Sequence, residues 1–119
     1  MHRLILSLIF ACSPLPVTAQ DWALRDGDRR LDRAALEGVT QGKPLVFYDD
    51  GQSRFFATGV YTYTYANAGG TAYGVYELKN DGRICIAFRN GFGRCDLYVL
   101  NEGRLVLLTE CGERYPVRP

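Results

Sequence analysis

The residues of this 119-residue chain that could do chemistry are its cysteines, its tyrosines and its acidic and basic side chains, because its only histidine is His2. Beyond residue 20 the cysteines are Cys85, Cys95 and Cys111. Their number is odd, so one is left over from any single disulfide. Cys85 and Cys95 flank Asn90-Gly91, a dipeptide that supplies the positive φ of a tight hairpin turn. The midpoint of the two is residue 90. A three- or five-residue loop centred there sets them directly opposite each other, on one face of an antiparallel pair. A Cys85–Cys95 bond is therefore expected, with about 2–3 kcal/mol of stabilisation from closing so short a loop. Cys95–Cys111 is the alternative pairing, and Cys111 is otherwise a free thiol. The cysteines stand ten and sixteen residues apart with no C-x-x-C pair, so a metal site is not expected.

The rest of the catalytic inventory is thin. With His2 in an apparent leader, the remaining chain has no imidazole for a triad, a general base or a metal ligand. A nucleophilic Cys111 would have nothing of that kind to activate it. Asp49, Asp50, Glu77 and Asp96 are the carboxylates that paired acid–base hydrolysis would need. Asp49-Asp50-Gly51 reads as a turn, however, and no two of them are marked as a pair. Ser53 lacks the G-x-S-x-G setting. Asn67-Ala68-Gly69-Gly70 joins two strand patterns and does not lead into a helix, unlike a phosphate loop. Asp26-Gly27-Asp28 through Glu37 imitates a calcium loop, but Leu31 stands where the glycine belongs and Arg30 at a ligand position. The expectation is a non-enzymatic protein with no cofactor and no metal.

Tyrosine is the conspicuous side chain. In the run Val60–Ala66, Tyr61, Tyr63 and Tyr65 share one face, with Thr62 and Thr64 on the other. Tyr73 and Tyr76 extend the set. Such a ladder either packs across strands, the expected role for a strand-favouring residue with a polar tip, or forms a binding face for a sugar ring, peptide or lipid. Arg83, Arg89, Arg94 and Arg104 fall near hairpin ends with Asp81, Asp96 and Glu102, where surface ion pairs are expected and an anion-binding patch is the alternative.

These side chains need elements to hold them, and the elements need a compartment. Met1-His2-Arg3, the eight-residue apolar run Leu4–Ala11 and Val17-Thr18-Ala19 have the layout of a secretory signal cleaved after Ala19. The apolar run is too short to span a bilayer. Cys12 as a lipidated residue is the alternative, and it would give a lipid anchor. The expected localisation is the periplasm of a Gram-negative bacterium, or secretion, where disulfides are permitted. Without Arg3, 13 basic residues balance 13 acidic ones. That balance argues against nucleic-acid binding or a polybasic membrane-surface role. Nothing after residue 20 reads as a membrane span.

Residues 20–119 read as one domain. Leu24, Leu31, Ala34, Ala35 and Leu36 give a helical stripe, placing a helix at about 28–38 with Asp28 as its cap and Gly38 as its stop. From about residue 44 the pattern turns to β. Eight short runs follow: 44–48, 54–57, 60–66, 71–78, 83–89, 94–101, 104–110 and 113–117. Asp-Gly, Asn-Gly and similar breaks separate them. Short links mean antiparallel neighbours. The expected fold is mainly β, a meander of about 7–8 short strands curled into a small barrel or roll to hide its edges. Leu105–Leu108 is apolar on both faces, which asks for cover on both sides, with the N-terminal helix as the available cover.

The segments Gly74-Val75-Tyr76, Asp81-Gly82-Arg83-Ile84-Cys85, Arg94-Cys95-Asp96-Leu97-Tyr98, Gly103-Arg104-Leu105 and Gly112-Glu113-Arg114 form a "G-x-Y … DG-x-x-C … C-D … G" pattern. It resembles that of small exported bacterial β-rich proteins of unknown function. The resemblance spans about residues 30–118, and it implies an exported β-rich domain with a Cys85–Cys95 pair. It implies no activity, and Cys111 departs from it. The leading functional expectation is an exported, non-enzymatic module that binds an envelope partner or a small ligand. A protease-inhibitor-like protein with an exposed N-terminal segment at 20–27 is a second. A structural protein tethered through Cys111 or Cys12 is a third.

Overall fold

A computed structural model of the chain describes residues 22–119. The expected leader, its cleavage after Ala19 and the lipidation of Cys12 lie outside these residues. The β pattern appears as one nine-stranded sheet. Strand β1 (Asp28–Arg30) and helix α1 (Arg33–Thr40) come first. Then follow β2 (Leu45–Val46), β3 (Gln52–Phe55), β4 (Val60–Thr64), β5 (Thr71–Leu78), β6 (Arg83–Phe88), β7 (Gly93–Asn101), β8 (Arg104–Leu108) and β9 (Arg114–Pro116). Each strand from β2 to β9 is hydrogen-bonded antiparallel to the next, as their short turns require.

The sheet curls into a half-barrel. Its two ends are drawn together by an antiparallel bridge between Phe47 and Val117, and by a bond from the Arg118 amide to the Val46 carbonyl at 2.7 Å. At Gly74 the inner wall leaves no room for a side chain. Gly74 lies opposite Tyr61 on one side and Phe88 on the other. A Cβ there would stand 2.5 Å from the Ala87 carbonyl oxygen. The missing side chain lets the Tyr61 and Phe88 rings meet edge to face, 5.8 Å apart.

The N-terminal region departs from expectation. Asp28 does not cap a helix; Asp28–Arg30 is a strand, paired with Val99–Asn101 of β7. The physical reason lies in β7, whose edge is covered by β6 only as far as Leu97. β1 takes up the backbone groups beyond that point. The helix starts four residues later, where Asp32 Oδ1 accepts from the Ala35 amide at 2.8 Å. It runs past Gly38 and stops at Gln41. Its buried residues are Leu36 and Thr40, while Ala34 and Ala35 are exposed.

The core has two parts. Inside the curl, Leu36 of the helix packs with Leu45, Phe55, Tyr61, Ile84, Ile86, Tyr98 and others. On the outer face, Leu97 and Val99 of β7 and Val106 and Leu108 of β8 pack with Trp22. The cover that the doubly apolar β8 demanded on that side is thus Trp22, not the helix, which lies with the inner cluster.

Candidate functional site

In a meander, alternate turns lie at opposite ends of the curl. The β5–β6 end is occupied by the N-terminal region. There a Cβ on Gly82 would stand 2.5 Å from the Leu31 carbonyl oxygen. Arg33 donates to Asn80 Oδ1 at 3.2 Å, and Gln41 to the Tyr76 hydroxyl at 3.1 Å. The other end, bordered by the β2–β3, β4–β5 and β6–β7 turns, carries a cavity of about 410 Å³.

Aromatic residues dominate its walls. Tyr63 and Tyr65 meet edge to face with ring centroids 4.9 Å apart. Phe88 and Phe92 come from the β6–β7 hairpin and Tyr115 from β9, with buried Phe47 and Leu107 on the wall between. Phe92 is 55% exposed, an aromatic side chain at the mouth. Burial pushes the Tyr63 phenol up to about 12, so it stays a neutral hydroxyl. Polar groups are few: Asp49, Ser53, Asn90 and Arg94. Ser53 Oγ is bonded to the buried Tyr61 hydroxyl at 2.8 Å. Asp49 Oδ1 accepts from the Gly51 amide at 2.9 Å, which is the turn its sequence suggested.

Among the described residues of the lining, Arg94 is the one cation. Its Cζ lies 5.6 Å from the Phe88 ring centroid. Its Nε donates to Asp96 Oδ2 at 2.9 Å, and the two side chains are 30% and 3% exposed. This pair is therefore not the surface ion pair expected of it. Alternation along β7 puts both residues on the inner face, and the acid is sealed beneath the base. Asp96 Oδ1 is buried and has no hydrogen-bond partner among the described residues. Burial pushes the Asp96 carboxyl up, against the pull of Arg94, and Glu110 adds to the rise. Burial also works against the Arg94 charge, but Asp96 outweighs it and the guanidinium is held ionised.

No family model matches this chain, and no curated protein or solved structure does either. The geometry alone carries the functional reading.

The five candidate tyrosines divide. Tyr63 and Tyr65 line the cavity. Tyr61 is fully buried, packed on Phe55 at 4.9 Å. Tyr76 packs edge-on against Phe55 at 5.1 Å and donates to the Phe56 carbonyl at 2.7 Å. Tyr73 is not on that face at all: three residues from Tyr76 in an eight-residue strand, it points outward, under Arg89 at 4.7 Å. A common face for all five is thus overturned by the period of two. Phe88, Phe92 and Tyr115 were not among the expected site residues, and Arg94 was expected in a surface ion pair or, alternatively, an anion-binding patch. The signal for Arg94 was present, since it shares parity with Asp96 and Tyr98. The signal for Phe92 was an apolar ring next to a turn.

Cys85 and Cys95 are bonded, as a directly opposed pair with Cα atoms 4.0 Å apart. The bond rules out Cys95–Cys111. Cys111 is not a free thiol either, and none of the described cysteines is. The disulfide joins the two strands whose hairpin presents Phe88, Asn90, Phe92 and Arg94, so it braces one wall of the cavity. Other ionic groups pair at the surface. Arg83 pairs with Asp81 at 2.9 Å, Glu77 with Lys79 at 3.1 Å and Asp50 with Arg118 at 2.8 Å. Arg104 bonds the Tyr48 hydroxyl at 2.7 Å. Among the described residues no group of three or more His, Cys, Asp or Glu side chains could hold a metal, and no helix is long and apolar enough to cross a membrane.

The N-terminal segment is fastened to the sheet. Trp22 is buried on the outer face. Asn101 donates to the Asp26 carbonyl at 3.2 Å, and the Arg25 amide to Asp28 Oδ2 at 2.7 Å. Of the segment expected to be exposed at 20–27, Ala23 to Gly27 are exposed, and residues 20 and 21 lie outside the described residues.

Proposed function

We propose that this protein is an exported, non-enzymatic binding module that holds a small, largely apolar molecule in the open end of its half-barrel. One observation carries the reading. The cavity of about 410 Å³ has walls of aromatic rings and only a few polar groups, the usual make-up of a small-ligand site. The leader-like first residues and the Cys85–Cys95 bond support an oxidising compartment outside the cytoplasm. The two most buried polar groups near the cavity, Ser53 and Asp96, are engaged by Tyr61 and Arg94, an arrangement suited to holding, not to turnover.

Native mass spectrometry of the protein recovered from a bacterial envelope tests this. The expected result is a mass excess that disappears on denaturation. Ala72 lines the cavity opposite Tyr63, and an Ala72→Trp variant should fill the space and lose the excess mass while keeping its circular dichroism. Cargo retained by Ala72→Trp, or a bare protein in both cases, would overturn the reading.

A further inference from the structure

The polar arrangement at the cavity narrows the ligand class, on the reading that the cavity is a binding site. We infer that the ligand is an anionic amphiphile, with its apolar body between the aromatic walls and its anion on Arg94, and that Asp96 takes up a proton from solvent as it yields the guanidinium.

The argument starts from what faces the cavity. Arg94 lines it and is part exposed, whereas its counter-ion Asp96 is sealed below. An entering molecule therefore meets the cation first. A neutral apolar molecule would bury the exposed part of that guanidinium against hydrocarbon and offer its remaining N–H groups no acceptor. An anion supplies charge-assisted acceptors for the remaining N–H groups, in the forked geometry that guanidinium favours. Two anions then share one cation. The weaker claim belongs to Asp96, because its Oδ1 has no donor. Protonation at Oδ1 removes a buried negative charge that only one of its two oxygens has a donor to balance, while Oδ2 keeps its bond from Arg94 Nε. Asp96 is faced by Arg94 on its own strand, by Glu110 beyond β8, and by the phenols of Tyr61 on β4 and Tyr98 on β7. Of these, only Arg94 is a cation that favours the carboxylate. Its partial withdrawal by a ligand anion therefore promotes protonation. Linkage then requires that binding tighten as the pH falls.

A pair of fluorescent probes tests this on the unaltered protein: 8-anilinonaphthalene-1-sulfonate, and N-phenyl-1-naphthylamine, which keeps the ring system without the sulfonate. The sulfonate stays ionised across the range used. The anionic probe should bind about tenfold more tightly than the neutral one, and its affinity should rise from about pH 8 to about pH 5 while the neutral probe's stays flat. Asp96→Asn keeps shape and size. It should bind the anionic probe severalfold more tightly at neutral pH and lose the pH dependence. Equal binding of the two probes overturns the anionic class and leaves the cavity reading standing. A preference for the anion without pH dependence overturns the role of Asp96. Binding of neither probe overturns the cavity reading itself.

Discussion

Asp28 shows how much one residue can organise. Its side chain is completely buried and its two oxygens accept from both terminal nitrogens of Arg114, at 2.8 and 3.0 Å. Asn101 Nδ2 and the Arg25 amide add bonds of 2.7 Å each. The Arg114 bonds first, with Arg25 and Asn101, hold the carboxyl far below the usual carboxylate range. A carboxyl depressed in the folded state stabilises fully above its unfolded pKa of about 4 and progressively less as the pH falls below it. Asp28→Asn should therefore cost about 3 kcal/mol near neutral pH, because Arg114 is left without its partner. The penalty should shrink in acid, as urea midpoints at about pH 7 and pH 3 would report. A penalty equal at both would contradict the ionic reading. Little of this was legible in the sequence. Asp28 has the company of a helix cap, and the donors that claim it lie 73 and 86 residues away.

Elements show where sequence reasoning works. All eight expected runs overlap a strand, with β3 starting earlier than expected at Gln52 and β7 at Gly93, because each is bounded by turn residues whose backbone requirements are local. The Cys85–Cys95 pairing was legible for the same reason: a hairpin fixes its own register, here with the Arg89–Gly91 loop closed by the Phe88 amide on the Phe92 carbonyl at 2.8 Å. The helix was misplaced because β1 is set by a vacancy on the edge of β7, which no local pattern encodes. The cavity was half legible. Tyr63 and Tyr65 follow from alternation along one strand, but Phe47 and Tyr115 join them only through the curl. Replacing both hairpin cysteines by serine should lower stability by about 2–3 kcal/mol. It should loosen the wall carrying Phe88, Phe92 and Arg94. Amide exchange should then rise at Phe88–Gly93 more than at β4. A uniform rise would mean that the disulfide acts on the whole fold and not on that wall.

At the scale of the whole molecule, the half-barrel is held together at a narrow seam. Beyond the Phe47–Val117 bridge and the Arg118–Val46 bond, Arg118 reaches Asp50 at 2.8 Å and lies over the Tyr48 ring at 5.3 Å. Removing residues 117–119 should expose the Leu45–Phe47 amides to rapid exchange while β5 to β7 stay protected. Probe affinity should fall, because Phe47 lines the cavity. Unchanged exchange at Leu45–Phe47 would show that the seam is not what holds β2.

The pairing of β1 with Val99–Asn101 of β7 also sets an order in time. A chain made from its N-terminus produces β1 long before β7, and β2 long before Val117. β1 therefore has no partner strand until residues 99–101 have been made. Local contacts form fast and distant ones wait for the chain to close, so the middle hairpins can assemble while the front remains open. The first strand to be made is thus among the last to be seated in the sheet.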